Sequence, residues 1–228
     1  VTGVIRSGTT FVGKILSSSV QVDYIHEPFN GGYTLPDHEP FEPRYFRPDA
    51  THPAAQAYRD HLAHIFRYDF GLETWWHPDD PWWRKAAKMM VGSRGPFYLG
   101  LAKLNPFHEA ALIKSPLAVR PAEFLYHNFD VRPVIVVRHP ASLAASFKRV
   151  GWWPELKDFR NEPKLVEDYL ADDTDLLRRS WSSRFLESMG HWKAANKVLL
   201  SQAEQYPDWI VVTHEELSAR PVPTFRTL

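Results

Sequence analysis

Residues 132–137 read Arg-Pro-Val-Ile-Val-Val, an apolar run with no polar position after its first residue. A strand with one wet face alternates apolar and polar side chains. A run that is apolar throughout is buried on both faces, the condition of a strand inside a parallel sheet covered by helices. This run limits the chain to the α/β class. It leads into Arg138-His139-Pro140, and Pro140 suits the first position of a helix that 141–150 would supply. Further strands are predicted at 20–25, 110–114 and 209–212. Helices are predicted at 9–19, 54–70, 121–128 and 176–205, with Gly190 a candidate break in the last and a charged segment at 157–175 before it. Strand and helix alternate with crossovers long enough for parallel pairing. The expected fold is therefore a three-layer, P-loop-like α/β domain, with a central parallel sheet of about five strands flanked by helices.

At 228 residues the chain suits one domain, 1–228, more than two. Within it, residues 30–106 stand apart as an aromatic- and proline-rich insertion, expected to act as a lid or acceptor region. Lys plus Arg and Asp plus Glu both number 27, so nothing is expected to be built to neutralise a nucleic-acid backbone or to coat an anionic membrane. Cysteine is absent, which removes disulfide and thiolate chemistry, and the 11 histidines are scattered without metal-ligand spacing. No apolar run has the length of a membrane span, and the start lacks the order of a signal peptide, so the expected setting is cytoplasmic. Val1 stands in place of a methionine with only Thr2 before the first glycine, so the chain is expected to be trimmed at its start.

The first chemistry-bearing stretch is Gly3-Val-Ile-Arg6-Ser7-Gly8-Thr9-Thr10, a G-x-x-x-x-G spacing followed by a run of helical period. The glycines let the backbone turn sharply and point successive N–H groups into one concavity. The helix that follows adds unpaired N–H groups and the positive end of its dipole, which suits a phosphate. Nucleoside triphosphatases place a lysine directly after the second glycine. Here that residue is Thr9, and Arg6 is the loop's cation, which suits a phosphate outside a triphosphate tail. A second anion site is predicted where Arg138 ends its strand and Ser142 and Ser146 share one face of the next helix. The two sites together describe a ligand with two separated phosphates.

These residues resemble the sulfotransferases that use 3′-phosphoadenosine 5′-phosphosulfate (PAPS), in their bacterial and carbohydrate-type branches. Arg6-Ser7-Gly8-Thr9-Thr10 looks like that family's 5′-phosphosulfate loop, and the spacing from Arg138 to Ser146 looks like its 3′-phosphate motif. Ile113-Lys114-Ser115-Pro116 and Val212-Thr-His-Glu-Glu-Leu217 are similar to strand ends of the same family, while 30–106 is not covered. Many members carry Lys where Arg6 stands, and the chain stops at Leu228, before a segment that often covers the cofactor, so trimming is expected at that end too.

The resemblance implies metal-independent, in-line transfer of a sulfuryl group from PAPS to a hydroxyl or amine acceptor such as a carbohydrate or lipid-linked sugar, leaving adenosine 3′,5′-bisphosphate. It implies that Arg6 and the N–H groups of Ser7, Gly8, Thr9 and Thr10 hold the 5′ end, that Arg138 and Ser146 hold the 3′-phosphate, and that the protein is bacterial. An acidic residue at a strand end serves as base in the family, which makes Glu27, in His26-Glu27-Pro28, the candidate and His26 the alternative. Trp-Trp pairs at 75–76, 82–83 and 152–153 are candidate walls for an acceptor, against the commoner fate of core packing. A P-loop kinase acting on a small molecule and a non-catalytic nucleotide-binding domain remain alternatives. The absent lysine after Gly8 weighs against the first, and Glu27 weighs against the second.

Overall fold

A computed structural model describes residues 1–31 and 42–228, and residues 32–41 of the predicted 30–106 insertion lie outside the described residues. The chain groups into two compact units, one comprising 10–42 and 51–115, the other 1–9, 43–50 and 116–228.

In the first unit, α1 (Thr9–Leu16) runs to β1 (Val22–His26), which pairs in parallel with β2 (Ala110–Lys114), so that Val22 faces Ala110 and His26 faces Lys114. Only α1's first residue, Thr9, belongs to the other unit. Of the apolar residues of α1, Val12 is fully buried while Phe11 and Ile15 are exposed. Between the strands lie α2 (Pro53–Phe66), α3 (Trp82–Val91) and α4 (Arg94–Leu104). In α2, Ala55, Tyr58, Leu62 and Ile65 are buried at the three- and four-residue steps of one helical face. Pro53 opens it, as its fixed φ and missing N–H favour, and the His52 ring accepts the Ala55 N–H. Within the predicted insertion, α3 and α4 are regular helices that the proline and tryptophan density concealed. α4 packs on β1, burying Gly95, Leu99 and Ala102.

In the second unit, α5 (Ala122–Phe129) precedes β3 (Val134–Val137), and α6 (Pro140–Val150) follows it. The charged 157–175 segment folds as short helices, α7 (Lys157–Arg160), α8 (Pro163–Tyr169) and α9 (Thr174–Arg178), because Phe159, Leu165, Leu170 and Leu177 each bury a side chain in the core. The long α10 (Arg184–Gln205) continues through Gly190 without a break. A Cβ there would stand 2.6 Å from the Trp181 ring, so this glycine is a contact point for a tryptophan. Last come β4 (Ile210–Thr213), α11 (His214–Ala219) and α12 (Pro221–Thr227). β3 pairs in parallel with β4, and Thr2 bridges the other side of β3, bonded to Val134 O and to Val136 N at 2.9 Å each. Ile135 and Val136 are completely buried, as the apolar run requires.

The class is mixed α/β with parallel strand pairing. The strands form two separate two-stranded sheets, and one sheet of about five strands is not seen among the described residues.

Candidate functional site

The loop from Gly3 to Gly8 has the backbone that its glycines predict. Gly3 and Gly8 take φ of +148° and +109°, and Arg6 takes +72°. A Cβ on Gly3 would lie 2.3 Å from Val136 O, and one on Gly8 would lie 2.7 Å from His214 Nδ1, so neither position accepts a side chain. The Ser7 N–H closes the turn on Val4 O at 2.9 Å, and α1 starts directly after the second glycine.

Arg138 and Ser146 both meet this loop. Arg138 donates from one terminal nitrogen to the backbone carbonyl of Arg6 at 3.0 Å, and its own carbonyl accepts the Trp192 indole N–H at 3.0 Å, which ties the strand end to α10. Ser146, 4 % exposed on α6, accepts from Arg6 Nε at 3.1 Å. The Arg6 guanidinium lies over the Trp152 ring at 5.9 Å. The two anion sites separated in the sequence thus form one hydrogen-bonded cluster, with Ser146 turned to Arg6. Inside it, the Ser7 hydroxyl, on a residue 1 % exposed, and Arg138 Nε are buried without a protein partner. Buried donors are costly to leave unpaired, and both belong to residue types that bind oxyanions.

His214 was not among the residues singled out. It is the first residue of α11, held in place by a capping box in which Thr213 Oγ1 accepts the Glu216 N–H at 3.1 Å and Glu216 Oε2 accepts the Thr213 N–H at 3.0 Å. The Thr-x-x-Glu spacing was the readable signal. Burial and the Arg138 guanidinium push the His214 imidazole below its ordinary pKa, against the opposing pull of Glu215.

The second candidate group is in the other compact unit. Glu27 follows β1 in the left-handed region at φ +51°, and its N–H donates to Lys114 O at 2.8 Å, which prolongs the β1–β2 pairing by one residue. Its carboxylate accepts from the Lys114 ammonium and from Asn30 Nδ2, the latter at 3.2 Å. Lys114 is 2 % exposed, a buried cation that Glu27 neutralises. Burial alone would raise the Glu27 carboxyl, but the charge and hydrogen bond of Lys114, with help from His26 and Asn30, hold it below the usual carboxylate range. His26 sits on the same strand end with Nδ1 3.1 Å from the Tyr24 hydroxyl. Burial, then the Lys114 charge, lower its pKa to about 4, so its ring is neutral at pH 7. Lys114 is the second functional candidate not singled out from the sequence, where a lysine at a strand end reads as a solvated charge.

These shifts predict a pH dependence. His26 and His191, whose pKa desolvation also lowers to about 4, are forced neutral in the fold, so the unfolded chain binds more protons between about pH 6.5 and 4. Stability should fall across that window by up to about 1.4 kcal/mol per pH unit for each histidine. Glu27, depressed by its partners, adds a loss as the pH drops below its unfolded value of about 4.5. Denaturant melts at several pH values check this. His26→Gln with His191→Gln should flatten the upper part of the curve, and an unchanged slope would contradict it.

Among the described residues, no group of three His, Asp or Glu side chains is placed to hold a metal ion. No helix among them is long and apolar enough to cross a membrane. In comparisons with known proteins, no family model, no curated protein and no solved structure matches the chain.

Proposed function

We propose that the chain is a PAPS-dependent sulfotransferase, moving a sulfuryl group to a hydroxyl or amine acceptor of the carbohydrate or lipid-linked sugar class. The observation that carries the proposal is the cluster around Arg6, where two arginines, a buried serine and a bare glycine backbone converge although Ser146 lies 140 positions and Arg138 132 positions from Arg6. Support also comes from the two orphaned donors, Ser7 Oγ and Arg138 Nε, which a doubly anionic nucleotide would satisfy. A three-layer domain with one central sheet of about five strands, and a bacterial cytoplasmic setting, belong to the same proposal. The parallel direction of both strand pairs supports the former.

When bound, PAPS supplies an activated sulfuryl group. Arg6, the Ser7 hydroxyl and the N–H groups of Gly8 to Thr10 would hold its 5′ end, the Ser7 N–H being spent on Val4 O, and Arg138 with Ser146 its 3′-phosphate. Sulfuryl transfer shares with phosphoryl transfer the need for in-line alignment and for positive potential at the leaving oxygen, which fixed guanidinium and N–H groups meet without reorganisation. Glu27, ionised at neutral pH, would accept the acceptor's proton, with neutral His26 as the alternative.

Arg6 is the residue whose role the experiment tests. Release of adenosine 3′,5′-bisphosphate from PAPS, measured with a panel of sugars, should fall by about tenfold or more in Arg6→Ala. Calorimetric affinity for that product should fall much less, the pattern of a contact strengthened in the transition state. Equal losses would reduce Arg6 to an anchor, and unchanged release would remove it from the reaction.

A further inference from the structure

Helix α3 is amphipathic in the inverted sense. Its sequence, Trp-Trp-Arg-Lys-Ala-Ala-Lys-Met-Met-Val, sets Trp82, Trp83, Ala86, Met89 and Met90 on one face and Arg84, Lys85 and Lys88 on the other. In a surface helix of a globular protein the apolar face turns to the core. Here one residue of the charged side, Lys88, turns inward, while Arg84 and Lys85 stay exposed. Lys88, with only 13 % of its side chain exposed, donates to the Trp75 carbonyl at 2.8 Å and pairs with the buried carboxylate of Asp80, to which Arg84 also approaches at 3.5 Å. The apolar side stands in solvent, with Trp82 81 % and Met90 86 % exposed, and no residue of α3 is buried. The neighbouring α4 repeats the pattern on its outer side, where Phe97, Leu101 and Leu104 are exposed at helical spacing while Gly95, Leu99 and Ala102 face inward.

Charge says what covers this surface. Residues 79–109 contain five basic side chains, Arg84, Lys85, Lys88, Arg94 and Lys103, against Asp79, Asp80 and Glu109, and Asp80 takes up Lys88 and Arg84. The remainder of the chain holds the other 22 basic residues against 24 acidic ones, so a neutral protein carries an apolar segment of net positive charge in which Lys85 and Arg94 are exposed. Lys85 has no carboxylate partner among the described residues. Exposed Trp and Met beside the exposed Lys85 match an anionic bilayer surface, whose headgroups take the Lys85 ammonium while the rings and thioethers enter the acyl boundary. The ten residues of α3 extend about 15 Å, half the roughly 30 Å of a bilayer core, so the helix would lie in the interface. We propose that α3 and α4 dock the protein on an anionic membrane surface, independently of the reaction proposed above.

Vesicle flotation with the full chain tests this, using phosphatidylcholine alone and phosphatidylcholine with about 30 % phosphatidylglycerol. The anionic vesicles should carry about tenfold more protein than the neutral ones, and raised salt should reduce that excess. Met89→Ser with Met90→Ser should lower flotation by about tenfold with an unchanged melting temperature, since both side chains are exposed. Lys85→Glu should weaken binding to the anionic vesicles alone. Absent flotation, equal flotation on both vesicles, or insensitivity to these substitutions would overturn the proposal. So would sedimentation showing a dimer that the two serines dissociate, because the face would then belong to a second copy.

Discussion

Glu27→Gln is expected to lower turnover by about 10²–10⁴ while leaving affinity for adenosine 3′,5′-bisphosphate nearly unchanged, the range for removal of a positioned base. Glutamine keeps the shape and an acceptor for Asn30 Nδ2, but it has no charge and no basicity. The structure adds a second consequence. Lys114 is buried, and Glu27 is a carboxylate paired with it, so the substitution removes that charge from beside a buried ammonium. Breaking a buried pair in this way costs about 3–5 kcal/mol, which could lower turnover by unfolding alone. Glu27→Gln combined with Lys114→Met separates the two effects, because replacing both charges removes the unpaired ion. Stability should return in the double variant and turnover should not. Turnover that returns with stability would mean that the carboxylate serves the fold. Should His26→Ala abolish turnover while Glu27→Gln in the stabilised background retains it, the base is the histidine.

The proposal that Glu27 is the base also carries a chemical demand. A carboxylate held below its usual range by a lysine is a weak base, so its contribution rests on a proton that leaves the acceptor late, once the sulfuryl group has begun to bond. The neutral His26 beside it, its pKa lowered to about 4 by burial and then by the Lys114 charge, is a weak base as well.

Strand β3 was legible because burial on both faces writes itself as a β-branched run, and 132–137 contains it; 110–114 coincides with β2, although that strand is not β-branched and its first two residues are exposed. The glycine loop was legible because backbone at positive φ calls for glycine at Gly3 and Gly8. Arg138 and Ser146 could be named from spacing. That Ser146 would bond Arg6 could not, because spacing along a helix gives a face and no partner across the chain. Lys114 was hidden because its burial depends on Glu27, 87 positions away. Helix α3 was hidden because Lys88 turns inward to Asp80 while its apolar side stays exposed, a pairing that periodicity cannot report.

The second large effect concerns Arg138, and it bears on the central claim that this chain binds a nucleotide with two separated phosphates. One terminal nitrogen of Arg138 is spent on the Arg6 carbonyl, and its Nε is buried without a partner in the protein. A 3′-phosphate would meet that donor, and a charge-assisted bond of this kind contributes about 1.5–3 kcal/mol, or roughly 10- to 150-fold in affinity. Arg138→Ala also loosens the loop, so AMP, which lacks the 3′-phosphate, serves as the control for damage to the 5′ side. Isothermal titration calorimetry of adenosine 3′,5′-bisphosphate and of AMP, in the unmutated chain and in Arg138→Ala, is the direct test. The bisphosphate should bind the unmutated chain about tenfold tighter or better than AMP, and Arg138→Ala should erase most of that preference while changing AMP affinity little. Equal affinity for the two nucleotides in the unmutated chain, or no binding of either, would contradict the account.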